Sequence, residues 1–185
     1  MQKNTIIILS IIAAICILVP VVSYNSLASS LEDVSEKASI IDVQLKRRAD
    51  LIGNLVESVK GYAAHETEIV NSVTEARARM AGAMTTEEKA AANEEATGAL
   101  ARLISLTENY PDLKADANFR QLSDEMAGTE NRISVARIDY NAAVAAYNKK
   151  LVSFPGVLIA RLMDWEKAAY FEAAEGDKEV PKISF

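Results

Sequence analysis

The chain has 185 residues, a net charge of −6, 50% hydrophobic and only 6% aromatic residues, seven glycines and four prolines. An acidic chain whose longest basic run is Lys46-Arg47-Arg48 offers no surface for nucleic acid, whose phosphates need clustered cations. Few helix breakers among many Ala, Leu, Ile, Val, Glu and Lys predict an all-α protein, and a single cysteine excludes any disulfide within the chain.

The uncharged run opened by Ile6 and closed by Val22 interrupts its aliphatic residues only with Ser10, Cys16 and Pro20. At helical rise that length is close to what crosses the hydrocarbon of a bilayer, so the run reads as a transmembrane helix. A cleaved signal peptide is the competing reading, but no A-x-A site follows closely. Cys16 follows Ile15 rather than a small residue, which argues against lipidation. Lys3 precedes the run, while Glu32 and Asp33 come before the next basic residue, Lys37. That places the amino terminus inside and the remaining chain outside the cytoplasm.

Beyond the span, Leu27, Leu31, Val34, Ala38, Ile41 and Leu45 alternate at intervals of four and three, so the first helix is expected to leave the membrane unbroken. Continuing the count puts Arg48 on the seam. Gly53 then predicts a turn or sharp kink near residues 52–54, although a glycine permits a turn without enforcing one and a continuous helix stays open. A second helix carries Leu55, Val59, Tyr62, Glu66, Ile69, Val73, Ala76 and Met80 and ends near Gly82. Thr85 or Thr86 caps a third, with Glu87 and Glu88 in its first turn. That helix holds Ala92, Ala96, Ala99, Leu103, Leu106 and Tyr110, Pro111 stops it, and residues 112–116 form the turn. The fourth and longest, about 118–152, lines up Phe119, Leu122, Met126, Ile133, Ala136, Tyr140, Val144, Tyr147 and Leu151. After Pro155, residues 157–163 form a short amphipathic helix, too short to span a membrane again. Short connections between long helices predict an antiparallel up-down four-helix bundle with coiled-coil-like packing. The expected organisation is an anchor at 1–24, a bundle at 25–163 and a partly extended tail at 164–185.

Metal and nucleophile chemistry find no template. Di-iron bundles use paired Glu-x-x-His motifs, whereas the one histidine, His65, has Tyr62 three residues before it, and His65-Glu66 opens no HExxH. No metal and no cofactor is expected. The remaining candidates form a polar set predicted to be buried: Asp42, Gln44, Arg48, Asn54, Glu66, Glu130, Asn131, Arg137 and Asn141. Arg137 or Asn131 is a candidate partner for Glu66, and Asp42 or Glu130 for Arg48. Such a set fixes helix register, because a mispaired register leaves charges uncompensated. The competing reading is a polar pocket for a small ligand or cation.

Several words of the chain occur together in a recognisable order. They are YN at 24–25, IDVQLKRRADLIGNLVESVKGYAAHE at 41–66, NYPDLKAD at 109–116, GTENRI at 128–133, AR at 136–137, YN at 140–141 and FP at 154–155. In these the chain resembles the LemA family of membrane-anchored helical proteins, which usually places proline where Gly53 stands. The resemblance implies the same anchored antiparallel bundle and no agreed biochemical activity. The expectation is therefore a single-pass bacterial membrane protein acting as a non-enzymatic scaffold or interaction module of the cell envelope, with protein partners there. The alternative is an envelope sensor that binds a small ligand in the bundle and signals through a partner. Ile183-Ser184-Phe185 at the end of the tail either adds as a strand to a PDZ-like domain or folds back on the bundle.

Overall fold

A computed structural model describes residues 2–63 and 65–172, and all regular structure among them is helical. The order is α1 (Gln2–Lys60), α2 (Thr67–Gly82), α3 (Thr86–Leu106), a 3-10 turn (Thr107–Asn109), α4 (Pro111–Ala115), α5 (Ala117–Val152) and α6 (Gly156–Leu162). Residues 173–185, including Ile183 to Phe185, lie outside the described residues. Two compact units emerge: the described residues of Met1–Ala38 and Asp139–Tyr170 in the first, and those of Ser39–Ile138 and Phe171–Phe185 in the second.

In the first unit α1 carries the apolar run, long and apolar enough to cross a membrane. Pro20 is helical, as a proline can be where neighbouring groups re-satisfy the freed carbonyl. After the run, the buried positions are Ser23, Leu27, Ser30 and Val34. Leu31, expected on this seam, is exposed, and Ser30 takes its place. Both serines donate to the carbonyl four residues back, Ser23 to Val19 and Ser30 to Ser26, so a small polar side chain is buried without an unmet hydrogen bond. Lys150 adds bonds to the Ser26 carbonyl and the Ser30 hydroxyl.

α5 supplies Tyr140, Val144, Tyr147 and Leu151, and α6 supplies Gly156 and Ala160. α6 ends in a reversal. Asp164 adopts a positive φ of 54°, and the Trp165 amide donates to the Ala160 carbonyl at 2.9 Å, a Schellman closure with an aspartate in the usual glycine place. The chain thereby turns back, and the Trp165 ring stacks on Tyr24 at 5.5 Å between centroids. The non-helical residues that follow are held by α5 as a strand partner would hold them. Asn148 both donates to the Ala168 carbonyl and accepts from its amide, while the Tyr147 and Tyr140 hydroxyls donate to the Glu166 and Ala169 carbonyls. Burial raises the Tyr147 phenol above its ordinary pKa.

In the second unit the four-three alternation of α1 continues through Ile41, Leu45, Arg48, Ile52, Leu55 and Val59, all buried. Each Leu, Ile or Val fully withdrawn from water contributes on the order of 2 kcal/mol before entropy is counted. Of the alternatives at Gly53 the continuous helix holds: α1 runs through it to Lys60, and the chain reverses between Lys60 and Thr67. Gly53 is instead a seat for Arg77 of α2, whose Nε donates to the Ala49 carbonyl at 2.9 Å. A Cβ at position 53 would lie 3.0 Å from the Arg77 Cζ. Leu55 and Val59 accordingly belong to α1, and Tyr62 is exposed.

α2 buries Val70, Val73 and Ala76 against the alanine face of α3, where Ala92, Ala96 and Ala99 let the helices approach closely. Thr85 opens α3 with a reciprocal box: its hydroxyl accepts from the Glu88 amide and the Glu88 carboxylate accepts from the Met84 and Thr85 amides. Those amides hold the Glu88 carboxyl below the usual carboxylate range. A depressed folded value means a contribution present above the ordinary carboxylate pKa and lost as pH falls through the lowered one. Thr85→Ala is expected to cost about 1 kcal/mol, and Glu88→Gln to flatten the acid limb of a thermal-midpoint titration that the unchanged protein shows. Pro111 does not end a helix but begins one, at the first position of α4, where its missing amide is no loss. α5 follows after Asp116, whose carboxylate accepts from the Phe119 amide.

Candidate functional site: the polar cluster around Arg48

α1 places Arg48 on the seam between Leu45 and Ile52, and the residue is 2% exposed. A guanidinium so deep requires acceptors from every helix it faces. Nη1 donates to Asn93 Oδ1 and touches the Glu130 carboxylate, and Nη2 donates to Thr97 Oγ1 at 2.9 Å. α3 thus contributes an amide and a hydroxyl, and α5 contributes the countercharge. Arg48 Nε, Gln44 Oε1 and Glu130 Oε2 are buried atoms without a hydrogen bond, although Glu130 Oε2 is the oxygen in charge contact with Nη1. That contact is an ion pair without hydrogen-bond geometry. Burial lowers the Arg48 pKa and the Glu130 charge opposes the shift. An arginine stays protonated regardless, so the cluster holds a permanent positive charge.

The other predicted members fall in different places. Gln44 is half-buried one turn before Arg48. Asp42 is exposed and pairs with Lys89 at 2.6 Å. Asn54 and Asn131 are exposed on α1 and α5, so neither belongs to a buried set. Glu66 was expected on a helix seam, but the true reversal leaves it on the α1–α2 connection, half-buried, accepting from the Tyr110 hydroxyl at 3.0 Å rather than from Arg137 or Asn131. That bond raises the Tyr110 phenol above its ordinary value. Since the folded value is raised, the contribution holds below the ordinary tyrosine pKa and is lost as pH climbs through the raised one. Glu66→Leu should lower the thermal midpoint far less than removing Arg48; an equal loss would place Glu66 in the core network. Arg137 is half-buried with its guanidinium 4.8 Å from the Phe171 ring centroid, a cation–π contact. Asn141 is half-buried in the first unit. Ile6 and Val22, the ends of the apolar run, are exposed.

Asn93 and Thr97 were missed, yet their spacing carries a signal. Asn93, Ala96, Leu100 and Leu103 continue the three-four alternation of α3, with Asn93 as its one polar member. Thr129, also missed, is fully buried and bonds its own helix at the Glu125 carbonyl.

A groove of about 780 Å³ lies between α1 and the α2–α3 corner, lined by Asp42, Lys46, Asp50, Arg77, Met84 and Lys89 among others. Of the predicted set only Asp42 reaches it, and charges of both signs face it. His65 is exposed on the connection, and among the described residues no three His, Cys, Asp or Glu side chains gather where they could hold a metal.

The LemA family model matches residues 37–185. Two proteins of Paramagnetospirillum magneticum, Magnetosome protein MamQ 1 and MamQ 2, are each 28% identical over 200 residues, covering 94% of this chain and 73% of their own. Protein LemA of Metamycoplasma hominis is 24% identical over 152 residues, covering 82% of this chain and 69% of its own. With a family match over four-fifths of its length, starting inside α1 and including every residue that surrounds Arg48, the chain belongs to the LemA family.

Proposed function

We propose that the protein is a single-pass, membrane-anchored helical scaffold of the bacterial cell envelope, with its helical part outside the cytoplasm and no chemistry of its own. One observation carries this reading: α1 is a single helix from the apolar run to Lys60, so the segment suited to a bilayer and the seam that holds Arg48 share one element. A scaffold of this kind uses its core for register and its surface for partners. The parts of α1 and α5 in the second unit, with α2 and α3, are read as an antiparallel four-helix bundle, with α4 as an addition. Supporting this, Arg77 of α2 reaches Ala49 on α1, Lys89 and Asn93 of α3 reach Asp42 and Arg48, and Glu130 of α5 reaches Arg48 while Tyr62 reaches Asp116. The polar cluster is read as its register key, since Arg48 is met from two other helices at once.

Val43, Val135 and Ile138 are exposed apolar residues of the second unit. Photo-cross-linking from these positions in living cells is expected to give discrete protein adducts that disappear when residues 1–24 are replaced by a cleaved secretion signal. Absence of an adduct from all three positions would contradict the scaffold reading.

A further inference from the structure

The first unit has an apolar face that its own core leaves uncovered. Phe154, Leu158 and Leu162 are 78%, 56% and 80% exposed; a spacing of four puts Leu158 and Leu162 on one side of α6, and Phe154 stands in the turn before it. The opposite side of the same helix is buried through Gly156 and Ala160. A seven-residue helix that shows its leucines to the outside and its glycine and alanine to the core is inverted relative to an ordinary surface helix.

What covers this face follows from its level along α1. A bilayer crossing takes about 17–25 helical residues, so a crossing that starts at Ile6 is long enough to end at Val22. Trp165, one end of the α6 segment, stacks on Tyr24, and Gly156, the other end, lies against Leu27. At about 1.5 Å per residue those contacts sit roughly 3 and 8 Å beyond Val22. The polar layer of a bilayer extends some 5–8 Å beyond the hydrocarbon on each side. α6 is therefore held at headgroup height by the helix that makes the crossing.

The local composition agrees. Tyr24 and Trp165 form a pair of the aromatic type that marks membrane interfaces. Lys149, Lys150, Arg161 and Lys167 outnumber Asp164 and Glu166 around the face, which suits a phosphate-bearing surface. We propose that Phe154, Leu158 and Leu162 form a second membrane contact, seated in the headgroup layer of the same bilayer that residues 6–22 cross. The contact rests on the anchored reading above, and it gives the first unit two attachments to the membrane, one through the bilayer and one flat on it.

The test uses the full chain reconstituted in phosphatidylcholine–phosphatidylglycerol vesicles. The native thiol, Cys16, is the only one and lies within the run, so an environment-sensitive fluorophore on it reports the crossing itself. In a Cys16→Ser background, the same fluorophore is placed through Leu158→Cys or Leu162→Cys, and through Ala142→Cys, exposed on α5 of the same unit, as the aqueous reference. The expected result is blue-shifted emission at 158 and 162, several-fold weaker iodide quenching than at 142, and strong quenching by brominated phosphatidylcholine. Brominated lipid separates a lipid cover from a protein cover, because only contact with acyl chains quenches. Labels at 158 and 162 that behave like the one at 142, while Cys16 is lipid-quenched, would overturn the membrane contact and leave the anchor standing. A water-accessible Cys16 would overturn both. Leu158 and Leu162 are exposed, so two independent sites keep the core unperturbed.

Discussion

Gly156→Ala is expected to lower the stability of the protein by about 3 kcal/mol, the upper part of the range for overpacking a tight site, read as a thermal-midpoint drop of the full chain in detergent. A Cβ at this position would be driven into the Lys150 carbonyl oxygen and would stand 3.5 Å from Leu27 Cδ1. The obstacle is backbone at the end of α5, which cannot swing aside as a side-chain tip does. Either the last turn of α5 or the start of α6 has to move, and each carries its own loss. Shifting α5 strains the Lys150 bonds to Ser26 and Ser30, and shifting α6 withdraws Ala160 from the core and Trp165 from Tyr24. Gly53→Ala is a useful contrast, since its new Cβ meets only the flexible end of Arg77. A Gly156→Ala protein with an unchanged midpoint would mean that α6 does not pack on α1 as described.

Glu130→Ala is expected to cost about 3 kcal/mol, the low end of what removing one partner from a buried ion pair costs. The low end applies because the Glu130 side chain is 38% exposed and part of its charge is already hydrated. Arg48 gains no such relief. Without Glu130 its charge remains in the core with only the Asn93 and Thr97 dipoles as compensation. Arg48→Ala should lose at least as much by another route, since it empties the volume of a long buried stem and orphans the Asn93 amide. Conservative Arg48→Lys does not rescue, because an ammonium cannot serve α3 and α5 from one planar fork. Chemical denaturation of each variant, with the slope compared to the unchanged protein, reads these losses directly.

Helical periodicity made much of this architecture legible. The alternation along α5 from Phe119 to Leu151 and the place of Arg48 on the α1 seam follow from counting, and residue type narrows the cap of α3 to Thr85 or Thr86, of which Thr85 serves. Counting fails where a residue's environment comes from a distant part of the chain. At Gly53 the sequence offers a turn or kink, with a continuous helix left open, because the guanidinium that glycine accommodates comes from Arg77, which local sequence cannot announce. That single displacement moved the α1–α2 reversal and put Glu66 on the wrong surface. Ser30 and Thr129 were invisible for a different reason: a hydroxyl that bonds the preceding turn of its own helix can be buried, and a seam traced through apolar residues alone slides to Leu31. The charged set was grouped by residue type. Exposure then separated Asp42, Asn54 and Asn131 from Arg48, while the amide and hydroxyl that Arg48 uses lay in an alanine-rich stretch without charge of its own at those positions.

The buried Arg48 charge is there to be paired across helices. A double-mutant cycle on Arg48→Met and Glu130→Leu reads that pairing, because removing both ends of the pair leaves no unpaired charge behind. The expected coupling is favourable by about 1–3 kcal/mol, with the double variant markedly more stable than the sum of the two single losses implies. Losses that add to within about 0.5 kcal/mol would mean that neither side chain depends on the other and that the pair does not set the register.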